Sequence, residues 1–148
     1  MEYEGNLVLI RGLPGSGKST MARNLFPECE HYEADDYFTV FEKDAEGNYK
    51  SQYRFDPTKL GKAHFTCQED TRVAMDEGSD VVVSNTFTTL KEMQPYIEMA
   101  KARNYRVFII EATGTFDSVH NVPFETIKNM SRRWERIYQN KDGSWNSY

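Results

Sequence analysis

Eight residues near the N-terminus constrain the fold more than any others: Gly12, Leu13, Pro14, Gly15, Ser16, Gly17, Lys18 and Ser19, followed by Thr20. Before them runs a short apolar stretch of strand formers, residues 6–11 (NLVLIR). After them, residues 18–26 follow a helical pattern that Pro27 stops. Glycines at these spacings let a turn wrap tightly, so that backbone N–H groups converge on an anion, and the helix that follows adds its positive end. With a lysine and a hydroxyl residue at its close, the octet fits G-x-x-x-x-G-K-[ST]. At average residue usage a chance match in a chain of this length is roughly half a percent, and this match sits in the strand–turn–helix context that the chemistry needs. Gly12, Pro14, Gly15, Ser16, Gly17, Lys18, Ser19 and Thr20 are therefore the candidate nucleotide-phosphate site. Lys18 is placed to reach the β- and γ-phosphates, Ser19 to ligand Mg²⁺, and Thr20 to help at the α-phosphate.

The rest of the chain alternates in the same way. Residues 31–34, 80–84 (DVVVS) and 105–111 (YRVFIIE) read as strands. Residues 57–77, opened by Pro57 with Asp56 as cap and closed by Gly78, read as a helix, as do residues 90–103 around Pro95 and residues 123–138. Between the second strand and the next helix, residues 39–55 alternate aromatic and polar side chains around Glu46-Gly47-Asn48, the pattern of a hairpin or flap. Strands separated by helices of crossover length predict an α/β fold. The expected form is a three-layer sandwich of the P-loop NTPase type, with a parallel sheet of about four or five strands and a flap after the second. One domain over residues 1–139 and a loose C-terminal tail over 140–148 are expected.

Composition narrows the functional classes. The net charge of −5 argues against broad, non-specific affinity for nucleic acid. Charge is uneven, however: residues 28–58 hold nine acidic and three basic residues, whereas residues 101–136 hold seven basic and four acidic ones. A phosphate-handling face fits the C-terminal third better, although charge alone equally describes solvated surfaces. No apolar run approaches a membrane span. The acidic start lacks the order of a signal peptide, so a cytoplasmic location and no membrane partner are expected. Cys29 and Cys67 are isolated, with no metal-ligand spacing, and read as reduced thiols.

The glycine-rich octet does not choose among ATPases, GTPases and small kinases; later segments do. Asp35-Asp36-Tyr37-Phe38 follows the second strand. Then come Tyr53-Arg54-Phe55-Asp56-Pro57, Leu60-Gly61-x-Ala63-His64, Val83-Ser84-Asn85-Thr86, and His120-x-Val122-Pro123 leading to Met130-x-x-Arg133-x-Glu135. In this order they resemble the polynucleotide-kinase-like branch of P-loop kinases, which includes the kinase half of phage polynucleotide kinase–phosphatases and related animal kinase-like domains. The resemblance covers residues 7–135. It implies ATP as donor with Mg²⁺, a hydroxyl on nucleic acid or a nucleotide as acceptor, and Asp35 as the carboxylate that takes the acceptor's proton. The hydroxyl is expected at a 5′ end or on the hydroxymethyl group of a modified base. The residues agree: a kinase needs a base near the γ-phosphate, and the carboxyl ends of strands beside the phosphate loop supply such positions. Asp36 is the alternative base or an acceptor contact, and either Asp can instead cap the turn. Asn85 and Thr86 are candidate acceptor contacts or plain turn formers. His64, Gln68 and Arg72 recur at i, i+4 and i+8 of one helix and form a candidate acceptor-facing stripe.

One departure stands out. Relatives carry arginines between the fourth strand and H-x-V-P that cover the γ-phosphate, whereas residues 111–119 (EATGTFDSV) have none, and Asp117 falls near the expected place. The missing charge is expected from Arg132, Arg133 or Arg136 on the last helix, with Arg133 favoured by the family position. The absence also keeps two other classes open, a small-molecule kinase for nucleosides or sugars and a non-catalytic ATP-binding module. Nothing in the residues names a protein partner.

Overall fold

The computed structural model describes residues 2–116 and 121–148. Residues 117–120, which include Asp117 and His120, lie outside the described part.

Four parallel strands form the central sheet. They are β1 (Gly5–Arg11), β2 (Glu30–Tyr32), β5 (Val81–Asn85) and β6 (Tyr105–Glu111), in the order β2-β5-β1-β6. Parallel strands need long crossovers, and helices supply them: α1 (Lys18–Leu25), α2 (Leu60–Asp76) and α3 (Leu90–Ala102). The period-2 alternation of β1 and β5 sorts the core into two layers. Leu7, Leu9, Val81 and Val83 bury against Ala63, Cys67 and Met75 of α2 and Met93, Tyr96 and Ala100 of α3. Val8, Ile10 and Val82 face the other way, onto Ala22 of α1 and Ala112. The expected helix–sheet–helix sandwich is therefore present. Among the described residues no helix is long and apolar enough to cross a membrane.

The flap after β2 is an antiparallel hairpin, β3 (Thr39–Lys43) with β4 (Tyr49–Tyr53), outside the main sheet. Asp44 closes its turn by accepting from Glu46 N and Asn48 N, and Gly47 takes φ +87°. A 3₁₀ turn, Ala34–Phe38, joins β2 to this hairpin, and a second, Pro57–Lys59, leads into α2 with Asp56 capping Thr58 N. The helix α3 runs through Pro95 without a break.

The C-terminal part departs from expectation. Helix α4 spans Phe124–Arg132, not residues 123–138, and the expected loose tail is a second hairpin, β7 (Ile137–Gln139) with β8 (Trp145–Ser147). Arg132, Arg133 and Arg136 thus do not share one helix. The physical reason lies at the end of β1. Arg11 is only 1% exposed. Its guanidinium donates to Phe87 O (3.0 Å) and Thr88 O (3.1 Å) and lies 4.0 Å from the Trp134 ring centroid. Burial lowers its pKa, partly offset by the charges of Glu111, Glu135 and Glu92. Glu135 continues the clasp: its N–H donates to Thr88 O, and its carboxylate accepts from Leu90 N and Ser147 Oγ. These contacts draw residues beyond 132 out of the helix and onto the sheet. Asp142 and Gly143 (φ +90°) then supply the turn that pairs the last strand.

Replacing Arg11 strands two buried carbonyls and removes the cation–π contact. Arg11→Ala is expected to lower the unfolding free energy by about 3 kcal/mol. Urea denaturation checks this, and a loss under about 1 kcal/mol would mean that the clasp is peripheral.

Candidate phosphate and acceptor site

The site is built at the carboxyl edge of β1, β2 and β5, where open α/β sheets bind ligands. Arg11 ends β1, and the chain turns at Gly12, whose N–H donates to Thr86 O (3.2 Å). A Cβ at Gly12 would lie 2.2 Å from Ser16 Oγ and 2.9 Å from Ala112 O, so the close approach demands glycine. Gly15 and Gly17 adopt φ +83° and +89°, and Ser16 N closes on Leu13 O between them. Pro14 fixes the backbone on the way in. Gly17 is the N-cap of α1 and no side chain caps it. The amides of Lys18, Ser19 and Thr20 therefore have no intrahelical acceptor and stay open to an anion. Ser16 Oγ is buried with no hydrogen-bond partner among the described residues. An orphaned hydroxyl, open amides and an uncapped helix start together fit a bound phosphate chain.

Lys18 Nζ sits 3.4 Å from Leu13 O, folded back over the loop. Burial lowers its pKa, while the charges of Glu33 and Asp35 oppose the shift. Both carboxylates are thus electrostatic neighbours of the phosphate-loop lysine.

Glu33 was not singled out from the sequence, yet it is the most connected side chain here. Its Oε1 accepts from Ser19 Oγ and from Ser84 Oγ (2.8 Å), and it pairs with His31 Nε2 (3.2 Å). His31 Nε2 also lies 2.6 Å from Ser84 Oγ. Burial alone would raise the Glu33 pKa, but the hydrogen bonds from His31, Ser19 and Ser84 outweigh it and bring it down to about 2. The carboxylate is held ionised. Because Ser19 donates its proton to Glu33, its oxygen lone pairs are left for a hard cation. Among the described residues no group of three or more His, Cys, Asp or Glu is arranged to hold a metal by itself. The readable signal was Glu33-Ala34-Asp35, an acid two residues before the expected base.

Asp35 lies in the turn after β2, half-buried, and Tyr53 Oη of the flap donates to its Oδ1 (3.1 Å). Burial, then the charge and hydrogen bond of Asp35, raise the Tyr53 pKa, so Tyr53 remains a donor. Asp36 points elsewhere: its Oδ2 accepts from Glu33 N (3.1 Å) and caps the 3₁₀ turn, and it is exposed. Asn85 Oδ1 accepts from Ala34 N (2.8 Å), which pins the turn carrying Asp35 to the end of β5. Asn85 is buried, and the Thr86 carbonyl accepts from Gly12 N. On α2, His64 is exposed and Gln68 half-buried. Arg72 is tied to Glu69 (2.8 Å) and Asp76 (3.1 Å) in surface ion pairs, so the three do not converge as a stripe of free donors.

The cations of the C-terminal third also sort differently from expectation. Arg133 Nε donates to Thr88 Oγ1 (3.1 Å), and Arg136 sits where the backbone pairs with Tyr148. Arg132 and Lys128 instead line a cavity of ≈ 480 Å³ together with Leu13 of the phosphate loop and Phe124. The segment after β6 lies directly on that loop: Gly114 N donates to Ser16 O (3.2 Å) and Phe116 N to Gly15 O (2.7 Å). A Cβ at Gly114 would meet Ser16 O at 2.7 Å.

Comparison with known proteins agrees with the fold. A family model described as an AAA domain matches residues 7–115. Human NEDD4-binding protein 2 is 32% identical over 144 residues, covering 88% of this chain, and the chain spans 8% of that protein. Among solved structures, the Pnkp1/Rnl/Hen1 RNA repair complex matches with a TM-score of 0.60 at 16% identity, over 90% of this chain and 45% of that one. A gluconokinase from Sinorhizobium meliloti matches with a TM-score of 0.52 at 16% identity, over 92% and 78%. At these identities the structural matches show the fold.

If Glu33 is the hub of the site, removing it leaves three donors without an acceptor. Glu33→Ala is expected to lower stability by about 1–3 kcal/mol, and Glu33→Gln, which keeps one acceptor, by less. Chemical denaturation separates the two, and equal effects would contradict the hydrogen-bonded role.

Proposed function

The chain belongs to the AAA domain family, a P-loop kinase-like group, and from that premise we propose that it is an ATP-dependent kinase. It transfers the γ-phosphoryl group to a hydroxyl on nucleic acid, at a 5′ end or on the hydroxymethyl group of a modified base. One observation carries the reading. A half-buried carboxylate, Asp35, stands within electrostatic reach of Lys18, beside an open helix N-terminus. Such a pairing suits phosphoryl transfer, which is mostly positioning and charge stabilisation.

In this reading Lys18 and the open amides of residues 18–20 hold the phosphates. Ser19, its hydroxyl oriented by Glu33, would hold a Mg²⁺ that arrives with the nucleotide, and the ion would supply charge neutralisation for the phosphates. Tyr53 holds Oδ1 of Asp35. Asp35 takes the proton of the acceptor hydroxyl as that oxygen attacks the γ-phosphorus. The bond from the γ-phosphorus to the bridging oxygen breaks, and its electron pair leaves with ADP. Lys128 and Arg132, on the cavity beside Leu13, supply the charge that the arginine-free segment after β6 does not. This replaces Arg133, whose guanidinium is engaged by Thr88.

Asp35→Asn should leave ATP binding nearly intact and cut transfer of label from γ-labelled ATP to a 5′-hydroxyl oligonucleotide by about 100-fold. Full activity in Asp35→Asn, with loss in Asp36→Asn, would show that the other carboxylate is the base. Arg132→Ala should lower kcat by about 10-fold or more with a smaller change in KM for ATP, whereas Arg133→Ala should act mainly on the melting temperature. The reverse pattern would restore Arg133 as the catalytic cation.

A further inference from the structure

The flap hairpin carries aromatic side chains that the core does not use. Phe41 and Tyr49 are each 72% exposed. The antiparallel register pairs Thr39 with Tyr53, Phe41 with Ser51, and Lys43 with Tyr49. Directly opposed residues point to the same side of a ribbon, so Tyr53, Phe41, Tyr49 and Lys43 share one face. Val40, Gln52, Glu42 and Lys50 occupy the other, where Glu42 pairs with Arg54. The acids of the turn, Asp44 and Glu46, lie at the far tip. The aromatic face thus bears one cation and no carboxylate along the ribbon, within a segment that is otherwise strongly acidic.

This face is continuous with the site. Tyr53, its innermost ring, donates to Asp35. At about 3.4 Å per residue, Phe41 stands about 7 Å further out and Tyr49 about 7 Å beyond that. A small acceptor would reach only the innermost ring. Two exposed rings in sequence, leading to Tyr53 at the edge of the core and so to the candidate base, match a ligand with planar groups at regular intervals and phosphates between them.

We propose that this face is a stacking platform for single-stranded nucleic acid, which leads the terminal hydroxyl to Asp35, with Lys43 against a backbone phosphate. It rests on the kinase reading above for its direction and deepens it by naming the acceptor as unpaired. Base–aromatic stacking is sequence-tolerant, so the platform selects unpaired strands rather than sequences. A single cation on it makes binding by this face only weakly salt-dependent.

The test is direct binding, followed by fluorescence anisotropy, of a labelled single-stranded oligonucleotide of about ten nucleotides, within the usual site sizes. Phe41→Ala and Tyr49→Ala should each raise Kd by about 10-fold, and Tyr49→Phe should restore near wild-type affinity. Both residues are exposed, so folding is not at issue. Unchanged affinity in both alanine variants, or no binding by the wild type, would overturn the platform. Platform-dependent binding without transfer of label to any hydroxyl of the strand would instead sink the kinase reading and leave the platform standing.

Discussion

The ionised carboxylate of Glu33 is the interaction on which the rest of the site depends. It gathers Ser19 from the phosphate loop, Ser84 from the end of β5 and His31 from β2 onto one oxygen. A buried charge is costly unless several donors meet it. Here the donors come from α1, β5 and β2, so satisfying the charge aligns the start of the helix with the two strands. Asn85 extends the alignment by holding Ala34 N, and Asp36 caps the same turn. The turn that carries Asp35 is thereby fixed at the end of β2, within electrostatic reach of Lys18. The division of labour among Glu33, Asp35 and Asp36 follows from where each points, not from differences in their chemistry.

A second constraint acts from the far side of β1. Arg11, buried at the strand end, draws Trp134 and Glu135 onto the loop after β5. This ends α4 early and leaves Lys128 and Arg132 on the cavity beside Leu13. The segment after β6 lies against the phosphate loop through backbone hydrogen bonds of Gly114 and Phe116 and through glycine-dependent close approach.

Much of the architecture was legible because it rests on strong local signals. The octet at residues 12–19, the apolar strands and the hairpin turn around Gly47 each combine pattern with turn chemistry. What escaped was set by tertiary contacts. The helical pattern of residues 123–138 was real as far as Arg132 and was then overridden by the pull of Arg11 and Thr88. The short strands of the last hairpin had too few residues for periodicity, and the Asp142-Gly143 turn was their only local sign. The role of Glu33 is not legible from the sequence because it depends on a tertiary contact with Ser84, 51 residues away in the chain. Arg72 looked free on a helical face, but its neighbours Glu69 and Asp76 at i−3 and i+4 were the readable warning.

The account turns on where an acceptor hydroxyl sits relative to the two carboxylates at the end of β2. The most direct measurement is a crystal structure with Mg²⁺, a non-hydrolysable ATP analogue and a short 5′-hydroxyl oligonucleotide. The account predicts the terminal hydroxyl at about 2.6–3.2 Å from Asp35, in line with the γ-phosphorus, and Glu33 still bonded to Ser19. A hydroxyl held by another group, or a nucleotide bound with Asp35 turned away from any acceptor, would contradict it.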